Sequence, residues 1–184
     1  MVDDKSIKAS KKEGGKKGVD ICGMSDLGGV KYFNVSLETC DGSLELLDAA
    51  LEGFNAEVDE AAEERKGGAS NLGKLLLSAG DKTVAILCNI PKSLQESNPE
   101  VTMADWVNRL VAACEGAEVA ERVETETVIK LLINGNTEKG LFPLKMRDAA
   151  QDAGFKFVKE KGLIPADDDS DDYVVDTEAA GIEW

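Results

Sequence analysis

The chain contains no histidine among its 184 residues. That absence removes the base most often used to activate a serine or cysteine nucleophile. It also removes the imidazole found in the common zinc ligand sets. Four cysteines are present, Cys22, Cys40, Cys88 and Cys114, with no Cys-x-x-Cys pair among them. Cys88 and Cys114 sit inside apolar patterns, so the set reads as reduced thiols rather than a metal or disulfide framework. Long apolar runs are missing too: none approaches the roughly 18 residues of a membrane span. The lysine-rich start is followed by no hydrophobic stretch, so no signal peptide is expected. Only four prolines occur, and Pro91, Pro99, Pro143 and Pro165 all fall at expected element ends or in loops. Bases are outnumbered by acids, 21 to 36, for a net charge of −15.

That charge is uneven. Residues 1–18 carry +3, the body 19–165 carries −10, and residues 166–184 carry −8. Phosphate backbones are bound by lysine and arginine, so the acidic body argues against a nucleic-acid or anionic-membrane surface on the core. Composition divides the chain into three parts. Residues 1–24 read as a disordered Lys-rich arm, 25–165 as a single α/β domain, and 166–184 as a disordered acidic tail. The arm offers Lys5, Lys8, Lys11, Lys12, Lys16 and Lys17 to an acidic partner, and the tail offers the aromatic residues Tyr173 and Trp184.

Within the body, residues 30–37 read as a strand, with Phe33, Val35 and Leu37 alternating onto one face. Ser43 is placed to cap a helix carrying Leu44, Leu47, Leu51 and Phe54 at helical spacing. Residues 72–78 and 83–90 flank a short Gly80-Asp81-Lys82 connection and read as a hairpin closed by Pro91. The near-continuous apolar character of the second run predicts a strand covered on both faces. Thr102 and Asp105 form a capping-box pattern ahead of a helix bearing Trp106, Val107, Leu110 and Val111. Trp106 is expected in the core. Residues 127–134 read as a further strand, and a last helix starts at Pro143 and stops near Gly162. Gly154 inside that helix implies close packing there. The predicted order is β-α-β-β-α-β-α: a two-layer, or partly three-layer, α/β sandwich with about four strands in one mixed sheet.

Motifs that suggest chemistry are weak. The run from Gly68 to Gly73-Lys74 looks like a phosphate loop. It lacks the Ser or Thr that should follow the lysine, since Leu75 stands there, and it precedes a strand rather than a helix. The Asp-rich tail lacks the central Gly and terminal Glu of a calcium loop. Acidic pairs such as Glu63 and Glu64 lie on solvated stretches, without the burial a catalytic acid needs. No catalytic residue, cofactor or metal site is expected.

The stretch from Leu75 to Val107 resembles the C-terminal, post-editing domain of alanyl-tRNA synthetase. The features that carry it are the strand from Leu75 to Ser78, the Gly80-Asp81-Lys82 turn, the strand from Val84 to Cys88 ending before Pro91, and the helix opening Ala104-Asp105-Trp106-Val107. The family usually has Glu where Asp105 stands. Residues 32–35 and 47–51 match the preceding strand and helix, and residues 148–150 and 155–157 the closing helix, so the resemblance covers about residues 30–163. It departs where the family carries a glycine-rich loop suited to phosphate. This chain has an acidic segment, Glu115 to Glu124, read as a loop. The resemblance implies a stand-alone relative without the enzyme's catalytic parts, and no tRNA-contacting residue carries over. The expectation is a non-enzymatic protein-interaction or scaffold subunit of a cytoplasmic assembly, of the kind found in cytoskeletal or ciliary complexes, with no membrane partner. The alternative is an accessory protein that binds tRNA or a synthetase through the lysine arm.

Overall fold

The computed structural model describes residues 3–58, 61 and 66–163. Its first element, α1 (Asp4–Gly28), corrects the expectation of a disordered arm over residues 4–24, and residues 1–2 lie outside the described residues. The Asp3 side chain accepts from Ser6 N at 2.8 Å and caps the start, and Gly29, at φ 74°, closes the end. Glycine inside a helix costs about 1 kcal/mol against alanine, which is why the sequence reads as unfolded there. The compensation is tertiary. A Cβ on Gly14 would stand 2.0 Å from Ala50 O, and one on Gly53 would stand 2.1 Å from Lys11 O. The helix packs backbone to backbone on its neighbour, and only glycine permits that approach.

The strand β1 (Tyr32–Ser36) follows, then α2 (Leu44–Asn55), capped by Ser43 as predicted. The hairpin strands β2 (Gly73–Ala79) and β3 (Thr83–Asn89) come next. A short helix α3 (Lys92–Ser97) leads to α4 (Met103–Ala113), where Thr102 Oγ1 accepts from Asp105 N at 3.1 Å. The strands β4 (Glu118–Glu124) and β5 (Val128–Asn134) form a second hairpin, and α5 (Pro143–Glu160) is the last helix among the described residues. The acidic tail 166–184 lies outside the described residues.

Among the described residues the sheet has five strands in the order β1-β2-β3-β5-β4, with β1 parallel to β2 and every other pair antiparallel. The α/β sandwich is as expected, but β4 is an addition. The segment read as an acidic loop is an edge strand whose seven residues are all exposed. Its glutamates hide the alternation of Val119 and Val123 from a pattern search.

Helices cover both faces, giving three layers rather than two. Leu75, Leu77, Ile86 and Leu131 point to one side and pack with α4 and α5. Leu76, Ala85 and Leu87 point the other way, into α1 and α2. This alternation explains the near-continuous apolar runs of β2 and β3, which are buried on both sides. Trp106 is fully buried between Tyr32, edge-on at 6.0 Å, and Phe157, stacked at 6.0 Å. The close packing expected at Gly154 is present: a Cβ there would stand 2.3 Å from Asn34 Oδ1.

Candidate functional site

The strand β1 is an edge of the sheet, and its backbone is half used. Gly73 N donates to Lys31 O at 2.8 Å, and Leu37 N donates to Leu77 O at 2.8 Å. Backbone groups alternate in direction along a strand, so residues 31, 33, 35 and 37 face β2. Tyr32, Asn34 and Ser36 turn their N–H and C=O groups outward. Lys17 Nζ donates to Ser36 O at 2.7 Å and occupies that one carbonyl. Among the described residues, the outward backbone groups of Tyr32 and Asn34 have no partner.

The outward groups of Asn34 open into a groove of about 940 Å³ between α1 and α5, whereas Tyr32 is buried, 2% exposed. Ile21 and Met24 line its α1 side, and Phe155 and Val158 its α5 side. Met24 is 52% exposed and Phe155 44%. Asp20, Asp148 and Asp152 also line it. Asp148 pairs with Arg147 at 2.9 Å and Asp152 with Lys156 at 3.1 Å. At the floor, Asn34 Oδ1 is buried and has no hydrogen-bond partner among the described residues.

The six lysines predicted as contacts separate. Lys5, Lys8, Lys12 and Lys16 are exposed, and their spacing of three, four and four puts them on one face of α1. Lys11 instead pairs with Glu52 at 3.5 Å. Lys17 is half-buried, pairs with Glu13 at 3.3 Å and belongs to the groove. Tyr173 and Trp184 lie outside the described residues. Burial opposes the charge of Glu13, but hydrogen bonds from the Thr39 hydroxyl and from Glu38 N and Thr39 N, with Lys17 nearby, hold its carboxyl below the ordinary range.

The phosphate-loop look-alike has another use. Lys74 is buried, and its Nζ donates to Ala69 O at 2.6 Å and Leu72 O at 2.7 Å. Its amine holds a loop against the sheet. Among the described residues, no group of three His, Cys, Asp or Glu side chains is placed to hold a metal ion, and no helix is long and apolar enough to cross a membrane.

Sequence reasoning misses the groove because its walls are distant in the chain. Composition places Met24 in the arm, and periodicity shows Phe155 only as part of a closing helix. No local signal marks β1 as the edge. No protein-family model, curated protein or solved structure matches the chain.

Proposed function

We propose that the chain is a non-catalytic protein-interaction subunit of a larger cytoplasmic assembly, built on a fold like the C-terminal domain of alanyl-tRNA synthetase. The observation that carries this reading is the groove on β1. It joins unpaired strand backbone to exposed Met24 and Phe155. Single exposed apolar residues are ordinary, whereas a cluster beside an open edge marks an interaction surface. The sequence resemblance over residues 30–163 supports the choice of fold, and cytoskeletal and ciliary complexes are the first assemblies to test.

Affinity purification of the full chain from native extract, with and without nuclease, tests the reading. The expected result is a nuclease-resistant protein complex that is lost when Met24→Glu and Phe155→Glu are combined. Recovery of only synthetases and tRNA overturns it.

The exposed lysine face of α1 favours a second reading, an accessory protein that binds tRNA or a synthetase. For four neutralised phosphates, log affinity would fall with log salt at a slope of about −3 to −4. Binding would vanish when Lys5, Lys8, Lys12 and Lys16 are changed to Glu. tRNA affinity indifferent to those changes removes this reading.

A further inference from the structure

We infer that the groove takes an extended, basic segment of a partner protein, which adds to the sheet as a sixth strand beside β1. This rests on the interaction reading above and names how the partner is held.

The two sheet edges differ in protection. On β4, Glu118, Glu121, Arg122 and Glu124 are exposed, and the pairing is irregular between Val119 and Glu121. Charges and bulges are devices that block edge-to-edge pairing. The sequence of β1, Tyr-Phe-Asn-Val-Ser, has neither charge nor proline, and its pairing with β2 is regular. An added strand meets open N–H and C=O groups at Asn34, whereas Tyr32, 2% exposed, is already covered. Lys17 ends that open stretch by holding Ser36 O. Five strand residues span about 17 Å.

Side chains of an added strand alternate between the two walls. One set meets the exposed Met24, the other the exposed Phe155, so apolar side chains are accepted on both sides, while Ile21 and Val158 are already buried. Charge sets the rest of the specificity. Asp20, Asp148 and Asp152 line the groove, and the one lysine there among the described residues, Lys17, is paired with Glu13. The pairs of Asp148 and Asp152 with Arg147 and Lys156 involve exposed carboxylates and are weak, so those acids can receive cations from a peptide. The chain's own tail carries −8 over residues 166–184 and is repelled by the same acids.

The test uses the full chain and a fluorescein-labelled peptide of alternating lysine and valine, seven residues long. Its counterpart has glutamate for lysine. Two further versions carry N-methyl groups on alternate amides, one on the odd set and one on the even set. The lysine peptide binds, and the glutamate peptide binds at least about tenfold more weakly. One N-methylated set weakens binding about tenfold through lost hydrogen bonds, and the other leaves it unchanged. Amide exchange slows at Asn34 but not at Phe33 and Val35, which already face β2. Asp20→Asn with Asp152→Asn lowers affinity for the lysine peptide.

Absence of peptide binding, equal sensitivity to both methylated sets, or protection confined to β4 overturns strand addition. Displacement of the probe by a peptide of residues 166–184 makes the tail the occupant and also overturns it. If the native complex is recovered while β1 stays unprotected, the interaction reading stands and strand addition falls. If no complex is recovered, the interaction reading itself falls.

Discussion

Lys74 shows how one buried side chain ties pH to stability. Burial disfavours its charge and lowers its pKa to about 7, against an ordinary value of 10.5. Between those values the unfolded chain binds more protons than the folded one, so stability rises with pH. The slope is at most about 1.4 kcal/mol per pH unit. Burial raises the thiols of Cys40, to about 11, and of Cys88 and Cys114. Above about pH 9 the unfolded state loses thiol protons that the folded state keeps, which opposes the gain. Urea denaturation should therefore show stability rising from about pH 7 to about pH 8.5, and Lys74→Met should flatten the rise. Trp106→Ala should cost about 3–5 kcal/mol, because the indole is fully buried between two rings. Trp106→Phe should cost less, since it keeps ring contact and removes an indole N–H that is unpaired among the described residues. Both are read from the urea midpoint.

At the scale of elements, α1 depends on close contact with α2. Gly14→Val places side-chain atoms where Ala50 O stands and should undock the helix. Cys40 reports the change, because it is buried beside Ser10 of α1. In the native chain the half-buried Cys22 should react with iodoacetamide first, with Cys40 protected; in the variant Cys40 should react too. Mass spectrometry of the alkylated peptides distinguishes the two. Glu13 anchors the same helix to Glu38 N and Thr39 N. Its depressed pKa means that its contribution is present at neutral pH and is lost as pH falls through the carboxylate range. Glu13→Gln should loosen α1 at neutral pH, measured by the same alkylation. Elements with caps or uninterrupted apolar patterns are legible in the sequence: α2, α4, α5, β2, β3 and β5. The helix α1 is not, because its glycines signal disorder locally and packing only in the presence of α2. The strand β4 is not, because its charges protect an edge that no local pattern identifies as one.

For the whole molecule, the net charge of −15 produces self-repulsion. The screening length shrinks from about 30 Å at roughly 0.01 M salt to about 10 Å at roughly 0.1 M. Sodium and potassium chloride should therefore raise the melting temperature alike over that range, by roughly 2–4 °C for each kcal/mol gained. A fall in melting temperature would show that attractive pairs such as Lys130–Asp48, at 2.8 Å, outweigh the repulsion.

The sequence by itself determined the α/β class, the hairpin, the capped helices, the buried tryptophan and the absence of histidine chemistry. Each depends on neighbours within a few residues or on composition. Only the tertiary structure decided that β1 lies at an edge, that α1 folds, and that helices cover both faces. Those outcomes depend on contacts between residues far apart in the chain, such as Gly14 with Ala50, and on strand order, which sets Met24 and Phe155 on either side of one groove. No local pattern encodes either.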